Sequence, residues 1–340
     1  MLTIDPKDRD GALMLGRLLM QEKRYPEAVT ALEKVSELAP DSGTLQYQLG
    51  YAYLRNGQKD KGLALLQRAL NAEADATRGS DELNSVAYSL IEMDIGFDLA
   101  EQYAQKALQQ QEAASIKAGN GHDGLRNTAS LSATWDTVGW IHFKQGSYEQ
   151  ALPYLKASWL LSQNSEVGDH LGQLYAKLGK KQEAAQIYRL AYASAGESPG
   201  MGGNAVVLEK IKQHYQDLMG PNANPGAFTT SRRADGTFTP MPIEELGRMR
   251  MVKITTTAHP SAHATFSIAF SPGKVEEVTL VDGDETLKSM VERIQVAKFN
   301  VQFPDQKPAR LVRRAILSCG SLGCDLALIL PDDGSLLAVE

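Results

Sequence analysis

Between Trp135 and Ala191 the sequence repeats itself: Gly139 and Gly172, 33 positions apart, head two copies of one pattern. From each glycine a ring residue follows three later (His142, Tyr175) and a second glycine seven later (Gly146, Gly179). Ala151 and Ala184 lie twelve on, then Leu155 or Tyr188, and a small residue, Ser158 or Ala191, closes each copy. Small residues at fixed points let two helices approach closely, and the glycine between them ends the first helix by accepting a left-handed conformation. A period of this length points to a repeat architecture whose units stack, because one unit alone leaves its apolar face uncovered.

The same pattern extends toward the N-terminus. Residues 9–40 carry Leu15, Gly16, Leu19, Tyr25, Ala28, Leu32, Val35 and Pro40, the last ending a second helix. Residues 43–74 carry Leu49, Gly50, Tyr53, Gly57, Gly62, Leu66 and Ala69, with Gly50 falling 34 after Gly16. A looser copy keeps Ala87, Leu90, Ala100 and Ala107, with one extra residue in its turn. The period then breaks over 109–131, an insertion whose first half extends a helix and whose centre, Gly119 to Gly124, reads as a loop. These residues resemble the tetratricopeptide repeat, a helix–turn–helix unit. The resemblance implies an all-α solenoid of about five repeats over 1–195, wound as a right-handed superhelix. Leu2 to Pro6 reads as the end of a repeat whose helices precede it, so the chain is expected to be a piece of a longer protein.

Beyond the repeats the composition shifts. Asn204 caps a helix through Met219 that covers the last repeat, and 220–240 is a linker rich in Gly, Pro, Asn and Thr, giving a boundary segment over 196–240. Over 241–340 the hydrophobic period changes from helical to alternating. Residues 250–257, 264–270, 275–281, 309–319 and 324–330 read as strands, and 284–299 as one helix whose stripe is Leu287, Met290, Val291, Ile294 and Ala297. The expectation is a small α+β domain, one helix on an antiparallel sheet. Phe266, Phe270, Gly273-Lys-Val275, Val278, Leu287, Val296, Phe299 and Phe303-Pro304 give this half a resemblance to the TonB C-terminal domain. That resemblance implies an edge strand open to strand addition by a partner. Trp135-Asp-Thr, Gly139-Trp140, Gly168-Asp-His-Leu-Gly172, Phe303-Pro-Asp, Val312-Arg-Arg and Cys319 resemble the C-terminal half of large secreted bacterial proteins. In that family a transglutaminase-like domain precedes the repeats, so its catalytic residues would lie upstream of Met1.

The chemistry-bearing residues point to binding rather than catalysis. The net charge is −6 over 340 residues, which does not suggest a nucleic-acid or anionic-membrane partner. No apolar run approaches the ~18–20 residues that span a bilayer. His259 and His263 stand in His-Pro-Ser-Ala-His, which lacks the further ligands and rigid frame of a zinc site. No phosphate-cradling glycine loop or nucleophile elbow is present, and neither a cofactor nor an enzymatic activity is expected. The repeat register instead lines a concave face with Leu13 and Arg17, then Tyr47, Tyr51 and Arg55, then Asn84 and Tyr88. Asp136, Trp140 and Lys144 continue it, followed by Asp169, Gln173 and Lys177. Tyr, Trp and Arg dominate interface energies, so this face is expected to hold a protein or peptide segment. Asp136 and Asp169 either meet a partner's cation or pair within the helix stack. The Lys/Asn clamp of chaperone-tail receptors is replaced here by Leu13, Tyr47, Asn84 and Asp136. Cys319 and Cys324 flank a four-residue hairpin loop and are either a disulfide or two core-facing thiols. The expected setting is periplasmic or secreted if a signal peptide lies upstream, with a cytoplasmic one left open. The rival reading is the regulatory half of an envelope enzyme, and a third joins the two halves permanently for assembly alone.

Overall fold

The computed structural model describes residues 9–37, 42–71, 79–196, 204–227, 240–256, 261–305 and 308–331. The chain divides into two compact units, 1–107 and 108–340. The expected order holds, with helical hairpins followed by a small antiparallel sheet. The first unit contains α1 (Arg9–Gln21), α2 (Tyr25–Ser36), α3 (Gly43–Arg55), α4 (Lys59–Asn71), α5 (Ser80–Glu92) and the start of α6 (Phe97–Lys117). Its first two hairpins share a core of Ala12, Leu19, Ala28, Leu32, Val35, Leu45, Leu49 and Ala52. The repeat glycines work by close approach. A Cβ on Gly16 would stand 2.6 Å from Leu32 Cδ2, so α1 and α2 pack only because none is there. The turn glycines differ in role: Gly57 closes α3 at φ +80°, whereas in the first hairpin Lys23 takes the left-handed position at φ +60°.

The second unit continues with α7 (His122–Lys144), α8 (Tyr148–Ser162), α9 (Ser165–Lys177), α10 (Lys181–Gly196) and α11 (Asn204–Met219). The expected loop at 119–124 is shorter than its glycines suggest, since α7 already begins at His122. Gly124 lies inside the helix for a packing reason. A Cβ there would meet Val312 Cγ2 at 2.8 Å as well as the Gly119 carbonyl oxygen. The insertion thus prolongs α6 and begins α7, and it is where the C-terminal sheet sits.

That sheet has strand order β1-β5-β4-β2-β3, every neighbouring pair antiparallel. Its strands are β1 (Met251–Ile254), β2 (Ala262–Ser271), β3 (Lys274–Gly283), β4 (Leu311–Gly320) and β5 (Gly323–Leu328). Both faces of β2 and β4 are covered, which explains the nearly continuous burial from Phe266 to Phe270. One face meets α7 through Leu125, Ala269 and Val312. Polar contacts fix the register: Val312 N donates to Thr128 Oγ1 at 2.7 Å, and Ser267 Oγ donates to the Asn120 carbonyl at 2.9 Å. Arg310 ties the edge of this seat. Its backbone N–H donates to Ser115 Oγ at 3.0 Å, and its guanidinium reaches the Ala118 carbonyl at 2.9 Å and Asn120 Oδ1. The same guanidinium bridges Glu276 and Glu277, each at 3.2 Å.

On the opposite face, Phe270 packs edge-on against Phe299 at 5.1 Å. The single helix expected over 284–299 is instead a 3-10 helix (Glu285–Met290) followed by α13 (Val291–Gln295). A 3-10 turn eclipses side chains three apart, which brings Leu287 and Met290 down together, with Ile294 following; all three are buried. The strand expected from residue 250 begins at Met251, because Arg250 ends a further helix, α12 (Pro242–Arg250). Pro242 at the first position and Glu244 accepting from the Met241 N–H start that helix. In the β4–β5 hairpin Cys319 and Cys324 are direct partners with Cα atoms 4.1 Å apart, and a disulfide joins them.

Candidate functional site

In the first unit, α1, α3 and α5 enclose an open cleft of about 440 Å³. It brings together four residues expected on the concave face: Arg17, Tyr47, Tyr51 and Arg55. Helix spacing puts Tyr47, Tyr51 and Arg55, four apart, in one row along α3. Each is held in place by a neighbour. Tyr47 Oη donates to the Glu82 carbonyl at 2.7 Å, and Tyr51 Oη lies 3.2 Å from Ser89 Oγ. Arg55 Nη2 donates to Tyr25 Oη at 2.9 Å, and the guanidinium carbon stands 5.2 Å from the Tyr25 ring centre. Across the cleft the Arg17 guanidinium faces the Gln48 carboxamide, whose oxygen, with the amide turned to its bonding orientation, accepts from Nη2 at 3.0 Å and from Nε.

Asn84 and Tyr88 do not line this cleft; Glu82 and Ser85 of α5 do, and register counting missed them. Counting from the small residue that faces helix B (Gly16, Gly50, Ala87) assigns each helix A its own inner row. The wall of α5 that meets α3 instead lies two and five positions before Ala87. Gln48, two before Gly50, occupies the same place against Arg17, and that was the available signal.

In the second unit the corresponding face is engaged with itself. His170 Nδ1 lies 3.0 and 3.1 Å from the two carboxylate oxygens of Asp136, both side chains being buried. The Trp140 ring stacks on His170 at 4.0 Å and on Phe143 at 4.5 Å, with Lys144 Nζ 5.5 Å from the Trp140 centroid. One repeat on, His214 of α11 lies 2.7 Å from Asp169 Oδ1, and Gln173 Nε2 donates to Asp169 Oδ2 at 3.1 Å. The two carboxylates at equivalent repeat positions therefore each meet a histidine from the following helix A. Lys177 is exposed. Burial pushes the His170 imidazole down, but the Asp136 carboxylate, with Glu166 and Asp169, outweighs it, so its pKa stands above 6.5.

A wider cleft of about 710 Å³ separates α10, α11 and α12, lined by Lys181, Gln186, Arg189, Tyr215, Met219 and Glu245. It depends on α12, which the alternation of the following strand concealed. His263 Nδ1 lies 3.2 Å from Ser318 Oγ, while His259 lies outside the described residues. Among the described residues no group of three or more His, Cys, Asp or Glu side chains is arranged to hold a metal ion. Nor is any described helix long and apolar enough to cross a membrane.

Comparison with known proteins agrees on the repeats. Tetratricopeptide-repeat family models match residues 19–80 and 169–197, so these two stretches carry such repeats. No curated protein sequence matches the chain. Among solved structures, PilF of Pseudomonas aeruginosa is 18% identical with a TM-score of 0.41, covering 63% of this chain and 93% of its own. PilW, a type IV pilus biogenesis factor, is 17% identical with a TM-score of 0.44, covering 64% and 96% respectively. YrrB, described as a tetratricopeptide-repeat protein with an unusual peptide-binding site, is 16% identical with a TM-score of 0.40, covering 58% and 90%.

Proposed function

We propose that this chain is a non-enzymatic interaction scaffold that holds an extended peptide or protein segment in the cleft of its first unit. The observation that carries the reading is the convergence of Arg17, Tyr47, Tyr51 and Arg55 on one open cleft. These are the residue types that dominate binding energies, and their side chains are already oriented by neutral partners, which lowers the ordering cost of binding. The equivalent face of the second unit has its carboxylates and Trp140 engaged internally, so the binding role falls to the first unit.

The C-terminal sheet is a second docking module in this reading, taking a partner strand at an edge by strand addition. The order β2, β3, 3-10 helix with α13, Phe303-Pro304, β4 supports the likeness to the TonB C-terminal domain on which that role rests. A periplasmic or secreted setting is supported by the disulfide at Cys319 and Cys324, which persists in oxidising compartments. A second reading, in which the sheet and the repeats stay packed together and the repeats serve assembly alone, draws on the seating of the sheet through Thr128, Asn120 and Arg310. The test is capture of partners from envelope and cytosolic extracts by the native chain and by Tyr51→Ala, each first shown to be folded. A partner held by the native chain and lost by the variant supports the cleft. A partner retained by both moves the binding role elsewhere.

A further inference from the structure

The two arginines of the first-unit cleft are arranged unlike structural arginines. Each is oriented by a neutral group, Arg55 by the Tyr25 hydroxyl and ring and Arg17 by the Gln48 carboxamide. Neither meets a carboxylate among the described residues, although the chain as a whole carries a net charge of −6. A guanidinium has five N–H donors in a planar fork, and one neutral acceptor leaves several of them and the full charge available. Lys23 adds a third cation to the lining, against one carboxylate, Glu82. Met20, half-buried, supplies apolar wall beside these charges, and Ser85 and Tyr51 supply hydroxyls.

We propose that this cleft selects a peptide segment by its carboxylate: an Asp or Glu side chain seated against Arg17 and Arg55, with an adjacent apolar side chain on Met20. The inference rests on the cleft being the binding site, as proposed above, and names the chemistry of its ligand. Charge complementarity favours an acidic segment, since a carboxylate accepts two parallel hydrogen bonds from a guanidinium fork. The volume, about 440 Å³, holds a few side chains. A basic segment would face three cations, and a wholly apolar one would strip water from both guanidiniums without replacing it.

The experiment is selection of randomised heptapeptides against the full chain, with counter-selection on folded Tyr51→Ala. The expected result is enriched peptides sharing an Asp or Glu at one position. Replacing that residue by its amide weakens binding about tenfold or more, and the loss disappears in Arg17→Gln/Arg55→Gln, showing that acid and arginines act together. Arg55→Lys keeps the charge but not the fork and gives an intermediate loss. Enriched peptides without an acid, bound equally by the native chain and the arginine variants but lost in Tyr51→Ala, overturn the carboxylate inference and leave the cleft standing. If no peptide is enriched over Tyr51→Ala, the cleft reading and the inference fall together.

Discussion

Replacing Asp136 by Asn removes one negative charge from the buried pair with His170 while keeping its shape. In the native chain the imidazole stands 3.0 Å from Asp136 Oδ1 and is covered by the Trp140 ring, so water cannot replace the lost partner. A hydrogen bond to a charged group contributes about 1.5–3 kcal/mol, and the asparagine oxygen retains the neutral part of it, so the expected cost is roughly 1–3 kcal/mol. For a unit of this size each kcal/mol lowers Tm by about 2–4 °C, which puts the variant roughly 2–12 °C below the native chain at a pH below 6.5. The pH dependence is the sharper readout. The folded-state pKa of His170 is raised above 6.5, so the stabilisation is fully present below that value and is lost as pH rises through the folded pKa. Thermal denaturation between pH 5.5 and 9 should therefore show native and variant curves far apart at low pH and converging at high pH. Parallel curves, or a variant equal to the native chain at low pH, would refute the account of this pair.

Three further outcomes concern the C-terminal sheet and its seat. Arg310→Ala removes the bonds to the Ala118 carbonyl and Asn120; with the half-exposed glutamates discounted, it should cost about 2–4 kcal/mol, read as a lower denaturant midpoint of the second unit. Gly124→Ala, though helix propensity favours alanine by up to ~1 kcal/mol, should destabilise by about 1–3 kcal/mol because its Cβ meets Val312; a rise in stability would contradict the packing. Replacing Cys319 and Cys324 by serine should cost about 2 kcal/mol, since the closed loop is short, and the native chain should lose a similar amount in reductant.

What the sequence disclosed follows from where each signal lives. The glycine spacings report contacts within one hairpin, such as Gly16 against Leu32, and were legible because both partners lie in the same repeat. The row Tyr47, Tyr51, Arg55 was legible for the same reason, being one face of one helix. Glu82 and Ser85 were not, since they enter the cleft from the next repeat by a different face of α5. The seat of the sheet was illegible in a stronger sense. Thr128 bonds to Val312 across 184 residues, and no local pattern announces such a pairing. Gly124 therefore read as a loop residue, although its lack of a side chain serves a helix against a strand.

The most direct test of the central claim places a benzophenone photo-crosslinker at Ser85, exposed in the first-unit cleft, and separately at Lys177, exposed beyond the internally paired face of the second unit. Irradiation in the presence of cell extract should give a crosslinked partner from Ser85 that Tyr51→Ala abolishes, and none from Lys177. A partner crosslinked from Lys177 alone, or from Ser85 regardless of Tyr51→Ala, would contradict the assignment of binding to this cleft.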